Sequence, residues 1–375
     1  MKEKTKYQGA LPAQHLKSFF ANEFIKGNEG NVKPSSLDLT ITDEIYEVPG
    51  SFQVPRDATV LSVIKELGGK KVSLDKPLEV GNYYIAKIAE KIDLPKGIYG
   101  YANPKSTTGR LDMHARLLAD RVPQNDAISE AFDGELWVQI KPQSFSIKLH
   151  PGVALNQVRL FYSDTRLNRI ELEQLMKKTG LLFCEELQNK DNEHGLVRYK
   201  DMQVQDSPDS IVLRLDGKVG ANNEPIGYRA KETKEVIDYL QSYKAEDFFE
   251  VIGLEKNGLL FLPKDCFSIL SSIEHVSVPG NLACEMAPID DRFGELRAHY
   301  AGFIDPGWGW KADGSVFGKP LTLEVRSFEN IYVRDGQPIA RIKYERLAEM
   351  PNVVYDSMNS NYLVQNKAKL AKQFN

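Results

Sequence analysis

The chain has 375 residues, 48 Lys and Arg against 52 Asp and Glu for a formal charge of −4, and 42% hydrophobic residues. That length suits two ordinary domains, the charge gives no whole-surface attraction for nucleic acid, and no apolar run approaches the ~20 residues of a membrane span. The opening "MKEKTKYQGALPAQ" lacks the apolar heart of a secretory signal, and three scattered cysteines (Cys184, Cys266, Cys284) make no disulfide framework, so a reducing cytoplasm is expected.

In chain order, "AQHLKSFFANEF" spaces its apolar residues by three and four and predicts a helix. "PSSLDLTI", Pro34–Ile41, alternates as a strand, and "ATVLSVIKEL" predicts a second helix. "NPKSTTGRLDMHAR" has two readings. Backbone N–H groups around Ser106, Thr107 and Gly109, with Lys105 and Arg110, suit phosphate oxygens; the plainer reading is a polar turn opening a short helix. It is not a P-loop, whose Lys sits beside Ser or Thr at the end of a longer glycine-spaced loop. "GELWVQIKP" and "SFSIKLHPG" predict strands. "RLNRIELEQLMKKTG" predicts a helix ended by Gly after two lysines, and "TKEVIDYLQSY" a further helix. "HYAGFIDPGWGW", His299–Trp310, packs aromatics, glycines, an acid and a proline into one turn. Two strands follow, "LTLEVRSF" and "IYVRDGQPIARIKYE". In the first, Leu321, Leu323 and Val325 share one face, so Glu324 takes the other, either in solvent or lining a cleft. Many short strands and few helices predict a mainly β fold of the sandwich or barrel kind.

The chain also repeats itself. "PSSLDLTI" matches "PDSIVLRL" at Pro208–Leu215, "LWVQI" at Leu136–Ile140 matches "LTLEV" at Leu321–Val325, and "PGVALNQVRLFY" at Pro151–Tyr162 matches "DGQPIARIKYE" at Asp335–Glu345. Ser36 and Ser210 lie 174 positions apart, Gly152 and Gly336 184. Similar offsets in one order predict a duplicated domain: residues 1–165, a helical then polar connector 166–200, and residues 201–375. Gln139 then occupies the place of Glu324 in the first copy.

Zinc-hydroxide chemistry of the base-deaminase kind wants His-x-Glu with Pro-Cys-x-x-Cys, and the chain has no Cys-x-x-Cys. His15, His114, His150, His194, His275 and His299 show no ligand spacing. Gly-x-Ser-x-Gly is missing too.

The ordered set "PSSLDLTI", "PKSTTGR", "AGFIDPGWG", "LTLE" and "DGQPIAR" resembles the deoxycytidine triphosphate deaminases, relatives of the trimeric deoxyuridine triphosphatases, in their long tandem-domain bacterial form. The resemblance implies two tandem distorted β-barrel or jelly-roll domains with a few short helices, the first lacking the catalytic glutamate. It implies assembly as a homo-oligomer with sites at domain or subunit interfaces. The implied reaction is hydrolytic loss of ammonia from dCTP to give dUTP, in deoxynucleotide synthesis, with Mg²⁺ on the phosphates and no zinc. Carried over, Glu324 resembles the glutamate that takes a proton from the attacking water, Ser106 the serine that positions that water, and Arg110 and Lys105 the site-organising cations. Ala301 and Phe303 resemble the turn that reads the cytosine edge, and Asp305 its closing acid. Thr107, Gln157 and Arg292 join the substrate-binding set. Tyr355, Tyr362, Gln365 and Lys367 belong to a stretch resembling the nucleotide-covering tail. The implied ligands are dCTP and dUTP, with dTTP open as an inhibitor.

Each half departs from that pattern. The first has Ser106 and Arg110 but Gln139 and no "IDPG"; the second has the turn and Glu324, but "APIDDR" answers "KSTTGR", with Arg292 in the place of Arg110 and Pro288 in that of the serine. The expectation is a composite site, Ser106 and Arg110 from one half meeting Glu324 and "AGFIDPG" from the other, within a chain or between chains. Two other functions stand beside it: triphosphate hydrolysis of dUTP with Asp305 activating water, alone or with deamination, and a nucleotide-binding protein without catalysis.

Overall fold

The computed structural model describes residues 8–202, 209–294, 296–298, 302–355 and 365–374. Seven strands form the continuous path of the nine-stranded sheet of the first half: β1 (Leu37–Val48), β2 (Tyr83–Ile88), β3 (Ile98–Pro104), β4 (Met113–Ala119), β5 (Ala127–Ile128), β6 (Leu136–Pro142) and β7 (Ala154–Tyr162). Their order is β4-β6-β2-β1-β7-β3-β5. The second half has β8 (Ile211–Arg214), β9 (Phe267–Val276), β10 (Leu282–Ala287), β11 (Leu296–Ala298), β12 (Phe303–Ile304), β13 (Lys319–Ser327) and β14 (Pro338–Arg346). These run β11-β13-β9 and β8-β14-β10-β12, so moving each label up by seven converts one order into the other. The second sheet opens between β9 and β8, where one bridge, Leu215 to Ser272, remains.

Pairing registers agree as well. Val158 faces Leu37 and Ala102, as Ile342 faces Ile211 and Met286. Gln139 faces Ile85, as Glu324 faces Ile269. Alternation explains the packing: Leu136, Val138 and Ile140 enter the first core, and Leu321, Leu323 and Val325 the second. The opposite faces are buried too, with different coverings.

In the first half the covering is local. Helix α1 (Ala13–Ala21) precedes β1, and α2 (Val60–Glu66) starts from a capping box between Thr59 and Ser62. Val60 and Ile64 of α2 pack with Val54, Ile85, Leu118 and Trp137. After α3 (Ser106–Arg110) comes α4 (Arg169–Thr179), capped by Asn168 with Glu171 and ended by Gly180 at φ +70°. Leu172 and Met176 of α4 lie in the second core.

The "TKEVIDYLQSY" segment is not a helix. Val236–Asp238 is a strand parallel to Ser146–Lys148, with Ile237 fully buried and His150 bonded to Asp238 at 2.8 Å. The residues that suggested a helical stripe, Val236 and Leu240, are exposed. A long-range ladder and one buried side chain outweigh local periodicity here. Ile237, Tyr239, Phe248, Phe249, Phe267 and Ile269, with Leu370 and Ala371 of the C-terminal tail, complete the first core. Among the described residues no helix is long and apolar enough to cross a membrane.

Candidate active site

The "PKSTTGR" segment takes its plainer form, a single helical turn, α3, with Gly109 N–H donating to the Lys105 carbonyl at 3.0 Å. Thr108 ties it to β7 through its hydroxyl, which donates to the Leu155 carbonyl at 2.9 Å. Ser106 and Arg110 are four apart and share one helix face. Lys105, just before the helix, donates to Asp38 of β1 at 2.5 Å, and Lys33 approaches the same carboxylate at 3.6 Å.

Arg110 points out of its own half. Its Nε lies 3.4 Å from Oε1 of Glu324, its Nη1 donates to the Lys369 carbonyl at 3.0 Å, and its Nη2 donates to Oε1 of Gln365 at 3.2 Å. Both Arg110 and Glu324 are 4% exposed. The glutamate therefore lines an interior seam between the halves rather than facing water. Burial pushes its carboxyl up to about 7, against the opposing pull of Arg110. A carboxyl in that range can take a proton and return it near neutral pH. The tail is pinned here too: Gln365 Nε2 donates to the Pro320 carbonyl at 2.9 Å, and the Lys369 N–H donates to the Thr322 hydroxyl at 3.2 Å.

The dense turn after β11 abuts the first half. Asp305 accepts from the Ser35 hydroxyl at 3.1 Å and lies 3.8 Å from Arg159, and burial raises its carboxyl above the usual range. Arg159 of β7, wholly buried, stacks its guanidinium on Phe303 with 4.0 Å to the ring centroid and bonds Glu345 at 3.3 Å. The two glycines of "PGWG" have steric reasons. Gly307 (φ +93°) and Gly309 (φ +56°) are left-handed, and a Cβ would meet Val354 at 2.7 Å in the first and the Val276 carbonyl at 2.6 Å in the second.

Glu324, Arg110 and Gln365 are thus in direct contact, and Ser106, Thr107 and Lys105 share the α3 turn. Gln157 is buried on β7 beside Ser36, whose hydroxyl is 3.3 Å from its Oε1. Tyr355 packs on Trp308 at 5.3 Å and donates its N–H to the Pro306 carbonyl. Lys367 is turned to Asp216 and the Lys218 carbonyl. Ala301 and Tyr362 lie outside the described residues. Arg292 is not among the buried groups around Glu324: its side chain is 76% exposed and forks onto Asp290. The strand register also changes its comparison. Met286 occupies the place of Ala102, and carrying that offset of 184 past the paired residues would set Arg292 against Thr108 rather than Arg110.

Asp38 and Arg159 were among the residues here not singled out from the sequence. The signal for Arg159 was present, an arginine at an apolar-rich strand centre; Asp38 stood inside a quoted repeat, read only for its pattern.

The comparisons with known proteins agree with this geometry. Residues 7–164 match the 2'-deoxycytidine 5'-triphosphate deaminase N-terminal domain, and residues 184–374 match the C-terminal domain of the same family. The crystal structure of 2'-deoxycytidine 5'-triphosphate deaminase from Agrobacterium tumefaciens superposes with a TM-score of 0.81 at 32% identity, over 92% of this chain and 100% of that one. Among curated proteins none matches. With both family domains in tandem and a solved member superposing along nearly the whole length, the chain belongs to the deoxycytidine triphosphate deaminase family.

Proposed function

We propose that the chain hydrolyses dCTP to dUTP and ammonia at a site built from both of its halves, with Glu324 as the proton-transfer group. The observation that carries this is the 3.4 Å approach of Arg110 to Glu324, from opposite halves and out of solvent. In its ionised form Glu324 takes a proton from a water held beside Ser106. The resulting hydroxide adds to C4 of cytosine, and the proton passes to the ring nitrogen. Glu324, a carboxylate again, then takes the proton of the new C4 hydroxyl and passes it to the exocyclic amine, which leaves as ammonia while the C4 carbonyl forms. Arg110 holds the carboxylate in place and keeps part of its population ionised near neutral pH.

Lys105 and the α3 turn suit the phosphate end, where four negative charges need partners. Among the described residues no cluster of three or more His, Cys, Asp or Glu side chains converges. The magnesium implied by the resemblance would accordingly be held by phosphate oxygens and water, with the basic side chains of α3 nearby. When bound it would neutralise phosphate charge, and the proton transfers are the chain's own. Asp305, buried and bonded to Ser35, acts in this reading as the acid that holds its turn, so dUTP is the product and not a substrate. The chain works as a cytoplasmic homo-oligomer.

Ammonia release from dCTP tests the reading. The parent protein releases ammonia without pyrophosphate, and Glu324→Gln lowers kcat by roughly 10²–10⁴. Pyrophosphate release from dUTP by the parent would move the assignment to Asp305 and triphosphate hydrolysis. A parent inert toward both nucleotides would leave nucleotide binding alone.

A further inference from the structure

Two residues beyond Arg110 the first half presents Asp112, and two residues beyond Glu324 the second half presents Arg326. Asp112 is fully buried and Arg326 is 9% exposed. An Arg326 Nη2 donates to Oδ2 of Asp112 and to the Ser144 hydroxyl at 3.1 Å; that hydroxyl also donates to Asp112, and Arg326 Nη1 donates to the Asp265 carbonyl. The backbone is committed as well. Asp112 is left-handed at φ +50°, a conformation that Asp tolerates better than most side chains, and its carbonyl accepts from Gln143 N–H at 3.0 Å.

Along this stretch of the seam, Arg110–Glu324 and Asp112–Arg326 are therefore neighbouring ion pairs of opposite polarity. The first half supplies plus then minus, the second minus then plus. Sliding one half by two residues would set Arg110 against Arg326 or Asp112 against Glu324, burying like charges. Replacing a buried pair with apolar groups is often neutral for stability, so such a pair is better explained by the arrangement it selects. We propose that Asp112 and Arg326 are positioning residues which hold the two halves in the one register where Arg110 meets Glu324. The proposal rests on the deaminase reading for its consequence in catalysis, but its geometry can be tested apart from turnover.

The test is the double variant Asp112→Asn/Arg326→Gln, which leaves no lone buried charge. Glutamate carboxyl carbons are labelled and followed by ¹³C NMR through a pH titration; the Glu324 signal is the one missing in Glu324→Gln. The charged group that acts on that carboxyl is Arg110 from α3; Arg326 lies two positions along its own strand, paired with Asp112 of the other half, and β9 presents Ile269 as the strand neighbour. Because the variant removes one positive and one negative charge, a changed midpoint reports movement of Arg110. The expected result is a Glu324 midpoint at higher pH than in the parent, with kcat for dCTP down by about ten- to a hundredfold and KM little changed. An unchanged midpoint in the folded double variant overturns the proposal. Should circular dichroism show that variant unfolded, Arg326→Lys, which keeps the charge and loses the two-pronged donor, must raise the midpoint in the same direction, and no shift there is equally fatal. A parent that releases no ammonia from dCTP defeats the deaminase reading while the titration still reports on the register.

Discussion

At the scale of single residues, the surroundings of Glu324 suit it to the proton-transfer role proposed for it. Its folded-state value of about 7 sits above the ordinary 4.5. The carboxylate is the form that removes a proton from water, so kcat/KM for dCTP should rise with pH through a midpoint of about 7. A pH–rate profile checks this, and a flat profile between pH 5 and 8 would remove Glu324 from the role. Stability follows by linkage. Between about 4.5 and about 7 the folded state holds a proton that the unfolded chain has released, so stability falls as pH rises through that window. The contribution is on the order of 3 kcal/mol. Glu324→Gln lacks it, so the parent's denaturant midpoint should decline relative to the variant's from pH 4.5 to pH 7 and level off above. Equal slopes for the two proteins would contradict a buried, raised carboxyl.

Among the elements, the C-terminal tail and α2 matter most. The tail supplies two acceptors to the Arg110 guanidinium, the Gln365 side chain and the Lys369 carbonyl. Gln365 was expected to touch substrate; in the structure it braces Arg110. Gln365→Leu keeps the bulk and loses the acceptor, and hydrogen bonds to charged groups are worth ~1.5–3 kcal/mol. Steady-state kinetics should therefore show kcat reduced by about tenfold or more with a small change in KM. A rise in KM at constant kcat would return Gln365 to substrate binding. Helix α2 has a different effect. It seals the face of β6 that corresponds to the Glu324 face of β13, filling it with Val60, Ile64 and Trp137. Gln139 lies buried there, its Oε1 without a partner among the described residues.

For the whole molecule, the halves repeat one strand order yet are unequal and complementary. The first supplies α3 and a plugged β6 face; the second supplies Glu324. One nucleotide should bind per chain, and calorimetric titration of a non-hydrolysable dCTP analogue would measure it; two per chain would mean that the Gln139 face also opens. Arg110 and Glu324 meet within one chain, one of the two arrangements that the sequence left open. Mixing inactive Ser106→Ala and Glu324→Gln proteins through a denaturation–refolding cycle should restore no activity, and recovery would place the site between chains.

Much of this was legible in the chain itself. Alternation in "LWVQI" and "LTLEV" put Gln139 and Glu324 at matching places, and the structure pairs both strands in matching registers, because strand faces follow a period of two set by the backbone. The helices α1, α2 and α4 were visible for the same local reason, a period near 3.6 with capping residues at the ends of α2 and α4. The failures share a cause. "TKEVIDYLQSY" had helical spacing but became a strand, since its neighbours Ser146–Lys148 lie ninety residues away in sequence. Arg292 seemed to match Arg110 until the register moved the comparison by two. Asp112, Arg326 and Arg159 carry no signature, because a buried charge is recognisable only once its partner is in place. The sequence by itself determined the β architecture, its repetition and the acid at 324. Tertiary structure alone decided that this acid is buried against an arginine of the other half, since burial and pairing are properties of distance in space, which a linear pattern does not contain.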